Sequence, residues 1–503
     1  MTLRDLKIRA TGLRFAALPF AVLVSVAFLV IDPPVGDYWA ARARSSAAAH
    51  GVGLHYWFAW FGGTVPGHYS VLTPYVSKVV QPGLLGAAST IAVTALVHVL
   101  ARGTRHPVAA TWTSAIATGF SLWSGRVPFA FGSVFMLVAL LCVRANRPWL
   151  AGAVAALTAL VSPVSGAFLA LGVAGVLLHD RRRRLAALAA VGAAGVCLLF
   201  VVVYFATPGP EGFQPVQAWF TAAALAAMLL ARPPDYVRTV VLLALVACPI
   251  VALVPNGLGS NFERFAWIVL PAAVVATSRA GWRVTAFVAA FAVSIGIVGS
   301  AKDLWVAAQP MSEQAYVAGL VRHLDSVRGL DNYRVETVPD GTHVAAYALL
   351  GHAQLARGFE TQADNAYDSV LASPRLDAAR YRRWLDDNAV GYVAIDHRTL
   401  KHGPEDTLVR SGRLPYLHRV WSDGKWELYA VTSPRPIVAT PATMVRSTQA
   451  QLTVAVPAAG VYRLKVRWST LLDLRGPAGA LKPDGKGWTQ LHARRPGRYV
   501  LSG

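Results

Sequence analysis

Eleven apolar blocks, each about 15 to 22 residues long, fill the chain before residue 300, and none follows. A helix that crosses a hydrocarbon core of roughly 30 Å needs about 20 such residues. The blocks therefore predict spans at 15–31, 82–101, 107–123, 127–143, 148–163, 165–179, 185–206, 215–231, 236–254, 265–278 and 283–300. Only 15% of the 503 residues are charged, and mean hydropathy is +0.44. A water-soluble domain carries about 25% charged residues. The fold class expected is an α-helical polytopic membrane protein of about eleven transmembrane helices, joined to a soluble α/β domain and a small β-rich C-terminal unit.

The net charge of +21 invites a nucleic-acid reading, but its distribution argues against one. Before residue 301 the basic residues lie in short clusters between apolar blocks, with no basic groove interleaved with aromatics. Starting from a cytoplasmic N-terminus, 16 of these 21 fall in inward loops: Arg4, Lys7, Arg9, Arg14, Arg102, Arg105, Arg144, Arg147, Arg181 to Arg184, Arg232, Arg238, Arg279 and Arg283. Only Arg42, Arg44, Lys78, Arg126 and Arg264 face outward. That asymmetry is the one expected when basic residues stay on the cytoplasmic side. The first block is too long, and too far from the alanines at 40–49, for a cleaved signal peptide, so it reads as a signal anchor. An odd number of spans then leaves residues 301–503 outside the cytoplasm.

After residue 301 the texture turns mixed and polar. Residues 312–328 and 377–388 read as helices, with Ser312 capping the first. Residues 333–338 and 391–395 alternate as strands, and Trp421-Ser-Asp-Gly-Lys-Trp426 signals a hairpin with a two-residue type I′ turn. Residues 301–436 thus form an α/β domain. Beyond Pro434-Arg-Pro436, the alternating runs 451–456 and 461–468 mark residues 437–503 as a small β-rich domain. Cys142, Cys197 and Cys248 all lie in apolar blocks, where a thiol behaves as a small hydrophobe. The tail has no cysteine, so its own core must hold it together.

The longest loop of the membrane half, residues 32–80, faces outward and is a functional candidate by its length. It carries Asp32, Asp37, Trp39, Trp57, Trp60, His68 and Tyr69. Trp and Tyr favour the headgroup region, so part of this loop is expected along the membrane surface. Arg126 sits in Ser124-Gly-Arg-Val-Pro128 between two spans, and Glu263 and Arg264 just before another. Ionisable groups at such margins are costly unless used or able to reach water. The bland readings stand beside this: Asp37 as the N-cap of a helix over 38–49, Asp32 before Pro33-Pro34 as a span terminator, and both arginines snorkelling to headgroups. The spacing of His50, His55 and His68 matches no standard metal-ligand pattern, and Trp384, Trp421 and Trp426 read as core.

Over residues 1–300 the order of parts resembles the GT-C superfamily of membrane glycosyltransferases: a cytoplasmic start, one span, a long outer loop with acidic residues, then many spans and an exported C-terminal domain. The resemblance implies a sugar taken from a polyprenyl-phosphate lipid donor and moved to an envelope glycan or lipid acceptor. It implies a catalytic carboxylate at Asp37 or Asp32, donor-phosphate binding by Arg126 and Arg264, and a substrate loop containing Trp39, His68 and Tyr69. Asp32 and Asp37 are separated by Pro-Pro-Val-Gly rather than adjacent. No cofactor is assigned, and a shared divalent metal is left open. The motifs Gly67-His-Tyr-Ser70, Arg126-Val-Pro-Phe129 and Gly259-Ser-Asn261 also resemble a group of envelope membrane proteins, some described as transporters, with no established activity. Two other readings stay open: a non-catalytic envelope assembly protein, and a transporter or lipid-carrier flippase. The latter predicts ionisable groups inside the spans, whose middles carry almost none.

The charge alternation predicts that a phosphatase fused at Gly503 is active on the outer side of the membrane. A fusion active only in the cytoplasm contradicts the eleven-span topology.

Overall fold

The structure, a computed structural model, describes the backbone of residues 3–503 and the side chains from residue 16 onward. The side chains of Arg4, Lys7, Arg9 and Arg14, which enter the charge count above, lie outside the described residues. The chain divides into two units, Met1–Ala41 with His68–Trp305, and Arg42–Gly67 with Val306–Gly503.

The first unit is helical. Its helices are α1 (Leu3–Ile31), α2 (Gly36–Ala49, which runs on past the unit boundary), α3 (Thr73–Val79), α4 (Pro82–Ala101), α5 (Pro107–Trp123), α6 (Val127–Arg144) and α7 (Pro148–Val161). They continue with α8 (Pro163–His179), α9 (Arg184–Phe205), α10 (Pro215–Leu230), α11 (Asp235–Leu253), α12 (Leu270–Thr277) and α13 (Trp282–Ala307). Proline opens α4, α5, α7, α8 and α10, where its missing N–H costs no intrahelical bond and its fixed φ suits the first turn. Arginines at the ends of these helices and in the connecting loops reach helix C-terminal carbonyls. Arg144 Nη1 donates to Leu100 O at 2.8 Å, and Arg183 Nε donates to Arg144 O at 2.9 Å. Cations at that end also oppose the negative end of the helix dipole.

Helix α12 is preceded by a π-helical turn, Phe265–Val269. Pro271 lacks a donor and its ring would meet the carbonyl of Trp267, so the wider turn takes up the mismatch. The Trp267 ring lies against α13, where a Cβ on Gly296 would stand 2.0 Å from it. Phe168, Phe262, Phe265 and Trp267 form the aromatic part of the unit's core.

Among the described residues, five helices, α4, α6, α9, α11 and α13, are long and apolar enough to cross a membrane. A sixth span is counted if Ala16–Ile31 and α2, bent by 71°, act as one. The helices at 148–161, 163–179 and 215–230 are apolar but shorter. This is a multi-pass membrane protein: by length and composition five or six crossings are supported among the described residues, and the other expected spans are not confirmed by that test.

In the second unit, α14 (Gln314–Ser326) precedes strand β1 (Arg334–Thr337), followed by α15 (Val344–Ala348), β2 (Gln354–Leu355), α16 (Thr361–Tyr367), α17 (Ala378–Asp387), β3 (Val390–Asp396), α18 (Pro404–Arg410), β4 (Leu417–Ser422) and β5 (Trp426–Val431). The sheet order is β2-β1-β3-β5-β4, with β1 parallel to β2 and β3, and β5 antiparallel to β3 and β4. Asp377 caps α17 by accepting from Arg380 N at 2.8 Å. Ser312 does not cap α14. It sits in a preceding 3₁₀ turn and donates to Val306 O at 2.6 Å, leaving Glu313 at the cap. The hairpin forms where expected, but only Gly424 has positive φ (+80°), and Asp423 Oδ1 accepts from Lys425 N and Trp426 N. Type I′ needs two positive φ values, so the single left-handed glycine rules that turn type out.

The remaining strands are β6 (Thr443–Ser447), β7 (Gln451–Val456), β8 (Gly460–Arg467), β9 (Asp473–Arg475), β10 (Gly479–Pro483), β11 (Trp488–Ala493) and β12 (Gly497–Ser502). They make a three-stranded sheet β10-β11-β8 and a four-stranded sheet β6-β7-β12-β9. One core joins the two faces: Tyr462, Leu464, Val466 and Leu491 meet Leu452, Val454, Tyr499 and Leu501.

The long loop does not stay in the membrane half as a piece. Residues 42–67 pack with residues 306–503. Trp57 pairs with Thr64 in a short bridge, Leu355 N donates to Ala59 O at 2.8 Å, and Phe58 N donates to Gln449 O at 3.0 Å. Trp57 and Trp60 are 2% and 0% exposed, so they are core rather than membrane-surface aromatics. Their indole N–H groups are satisfied inside the unit, Trp57 by Gln449 Oε1 at 3.2 Å and Trp60 by Ala346 O at 3.1 Å. The core of the C-terminal region therefore includes side chains from far upstream.

Trp60→Ala is predicted to destabilise this unit by about 3–5 kcal/mol, the usual cost of emptying a buried Trp site. Hydrogen exchange at the β1 and β3 amides of the full chain reads this as lost protection. Unchanged protection contradicts a structural role for residues 42–67.

Candidate active site

A cluster of charged side chains forms where α2 starts, where α5 passes to α6, before the π-helical turn, and near the end of α13. Asp37 lies in the first turn of α2, one residue inside its start. Tyr38 N and Trp39 N both donate to Val35 O at 3.1 Å. The N-cap reading of Asp37 is therefore displaced, although a carboxylate in this first turn still complements the helix dipole. Asp37 Oδ2 stands 3.5 Å from Arg126 Nε and 3.8 Å from Arg264 Nη2. On the other side of Arg126, Nη2 is 3.8 Å from Asp303 Oδ2.

Arg126 is the residue on which the cluster turns. Its side chain is only 11% exposed, and its guanidinium lies 5.1 Å from the Trp267 ring centroid. Nε and Nη1 are buried without a hydrogen-bond partner among the described residues. The two ion pairs are thus electrostatic contacts at long range rather than well-formed bidentate bonds, which run at about 2.7–2.9 Å. Arg264 is similarly enclosed, 18% exposed and 5.6 Å from the Phe129 ring centroid. Burial pushes its guanidinium below the ordinary arginine range and Arg126 adds to this, while Asp37, Tyr69 and Glu263 oppose the shift. Burial likewise raises the Glu263 carboxyl, against the pull of Arg126 and Arg264.

The approach of these elements depends on a glycine. Gly125 has φ of +78°, and a Cβ there would stand 2.4 Å from Tyr38 N. The turn Ser124-Gly125-Arg126 can lie against the start of α2 only because position 125 has no side chain. Ser124 Oγ and Ser300 Oγ are 2.8 Å apart, and Ser300 Oγ donates to Phe120 O at 2.9 Å, which ties the turn to α13.

Of the residues expected from sequence, Asp37, Arg126 and Arg264 come together, and Tyr69 is close enough to Arg264 to act on its charge. Asp32 lies at the C-terminal end of α1, exposed and left-handed at φ +47°, with its N–H donating to Phe28 O. Trp39 and His68 are buried, His68 at the end of a 3₁₀ turn over Pro66–His68. Asp303 was not expected, because the last apolar block ends at residue 300. The helix itself continues to Ala307 and places Asp303 one turn beyond Ser300. Among the described residues, no group of three or more His, Cys, Asp or Glu side chains is arranged to hold a metal ion. The nearest charged neighbours of Asp37 are cations, a poor fit for a divalent ion.

No protein-family model and no curated protein matches the chain. Among solved structures it is similar to an archaeal oligosaccharyltransferase, AglB from Archaeoglobus fulgidus, in complex with an inhibitory peptide and a dolichol-phosphate. Identity is 14%, with 84% of this chain and 74% of that one covered, at a TM-score of 0.44. A likeness at that score carries no argument about fold or chemistry.

Gly125→Ala is predicted to lower the melting temperature of the detergent-solubilised chain more than Gly103→Ala. Both positions have φ near +80°, so both incur roughly 1–2 kcal/mol for a left-handed alanine. Only Gly125 meets backbone at contact distance, whereas nothing lies within 4 Å of a Cβ at Gly103. Equal shifts contradict the close approach.

Proposed function

We propose that the chain is a GT-C-like glycosyltransferase that moves a sugar from a polyprenyl-phosphate donor to an envelope glycan or lipid. The observation that carries the reading is Arg126, a nearly buried guanidinium with two nitrogens lacking hydrogen-bond partners among the described residues, placed beside Asp37 and Arg264. Buried donors without partners cost about 1–3 kcal/mol each, more when charged, and an anion recovers that cost.

In this reading the protein crosses the membrane eleven times from a cytoplasmic N-terminus, and the cluster lies at the outer face. Arg126 and Arg264 hold the donor phosphate. Binding it draws both guanidinium groups from Asp37 and leaves that carboxylate free to act as a base. Asp37 takes the proton of the acceptor hydroxyl, and the acceptor oxygen attacks the sugar's anomeric carbon. The bond from that carbon to the phosphate oxygen breaks, and the phosphate leaves with the electron pair. Its developing negative charge is met by the two arginines. Asp303 keeps Arg126 oriented when Asp37 turns to the acceptor. Trp39, His68 and Tyr69 are assigned to the substrate loop.

Asp37→Asn is predicted to preserve the fold and to lower turnover with a polyprenyl-phosphate-linked sugar by about a hundredfold or more, the scale of losing a general base. Melting temperature checks the fold, and a radiolabelled-sugar transfer assay reads the rate. Full activity in both Asp37→Asn and Asp32→Asn sinks the assignment.

A further inference from the structure

The second unit contains a cleft of about 760 Å³ between the α17 region of its α/β part and strands β8 and β11. Seven of its lining side chains are Lys or Arg and two are Asp, so the cleft is strongly cationic. The cause is legible in β8. Tyr462, Leu464 and Val466 point into the core, and the alternate positions Arg463, Lys465 and Arg467 line the cleft. Same-face residues of a strand are roughly 6.8 Å apart, so the three form a row of cations. Arg383 of α17 and Arg435 add charge from the α/β part.

These cations are incompletely neutralised. Lys465 Nζ is 3.4 Å from Asp387, and Arg463 Nε is 4.0 Å from Asp484. Arg467 is clamped between aromatic rings, 4.1 Å from the Tyr367 centroid and 4.0 Å from that of Trp488, and donates to Asn388 Oδ1 at 3.0 Å. That clamp fixes one cation at the base of the cleft, while Arg463 and Arg435 remain largely exposed at its rim.

We propose that this cleft binds an anionic oligosaccharide, with its phosphate or carboxylate groups held by the β8 row and Arg383. A volume of several hundred Å³ suits a short oligomer. Two details favour a sugar over a nucleic acid. Trp384 and Trp488 are 5% and 4% exposed, and the half-buried Tyr367 ring is already taken by Arg467, so no tryptophan face is offered to a base. Asp387 and Asp484 stand among the cations, where they repel a continuous run of phosphates but accept hydrogen bonds from sugar hydroxyls. The site is independent of Asp37 and stands whether or not that residue is a base.

The test titrates the full chain, in a detergent with uncharged headgroups, with four oligomers of equal length. These are an oligogalacturonate, a phosphorylated oligomannoside, an uncharged malto-oligosaccharide and a single-stranded oligodeoxynucleotide. At least one acidic saccharide is expected to bind more tightly than both the neutral one and the nucleotide, and the tighter of the two acidic arms identifies the acid group. Arg463→Ser and Arg383→Ser, both at exposed positions, should each weaken it about tenfold, the scale of one charge-assisted contact. Lys482→Ser, exposed on β10 outside the cleft, should leave it unchanged. Equal binding of the neutral oligomer overturns the proposal. So do tighter binding of the nucleotide, no binding of either acidic saccharide, or variants at 383 and 463 that behave like the one at 482.

Discussion

The arrangement of the first unit follows from how few charges it contains and where they must go. A guanidinium in an apolar helical bundle is tolerable only beside a carboxylate or within reach of water. Arg126 is 11% exposed, and its solution is to stand between Asp37 and Asp303. That requirement draws together the start of α2, the α5–α6 turn and the end of α13. The glycine at 125 and the Ser124–Ser300 contact are the backbone and hydroxyl adjustments that let them meet. The contacts are nonetheless long, at 3.5 and 3.8 Å, and leave two nitrogens of Arg126 without hydrogen bonds. A bundle built only for stability would gain from closing those bonds or replacing the charge with an apolar side chain. Retaining the charge in a strained balance of cations and carboxylates is what links the packing of the helices to the chemistry proposed for them.

Most helix bounds in the first unit were legible because apolar runs ended in loops rich in Arg, Pro and Gly, signals that act within a few residues. The residues of the charge cluster were legible singly, since Asp37, Arg126 and Arg264 are conspicuous at the margins of apolar blocks. Asp303 was hidden by the same rule. Hydropathy falls after residue 300, but α13 continues for two further turns, and nothing in a local window tells a helix that carries on past the lipid from one that stops. Span count is likewise not settled by local signals, because helices such as Pro148–Val161 are apolar but short for a crossing.

The second unit shows the other limit. Strands β1, β3, β7 and β8 and the hairpin signal at 421–426 could be read from alternation, because side chains two apart share a face, whereas β2, β6 and β9 to β12 were not read. The membership of residues 42–67 could not. Trp57 and Trp60 look like interfacial aromatics in sequence, since a Trp beside a span favours the headgroup layer. They are instead buried with Ala346 and Gln449, nearly 300 and 400 residues away in the chain. Contacts at such separation leave no periodic trace. The cationic row on β8 is the converse case: the alternation Tyr462-Arg-Leu-Lys-Val-Arg467 is plain in sequence, but only the packing of α17 and Trp488 beside it turns a charged strand face into a cleft.

The reading of the first unit as a phosphate-handling site rests on Arg126 and Arg264 acting as a pair. Equilibrium binding of a polyprenyl phosphate without sugar, compared with the matching polyprenol, isolates that role in the full chain in neutral detergent. The phosphate is predicted to bind at least tenfold more tightly than the alcohol, and Arg126→Gln and Arg264→Gln should each remove most of that difference. Equal affinity for phosphate and alcohol, or a preference that survives both substitutions, would contradict it.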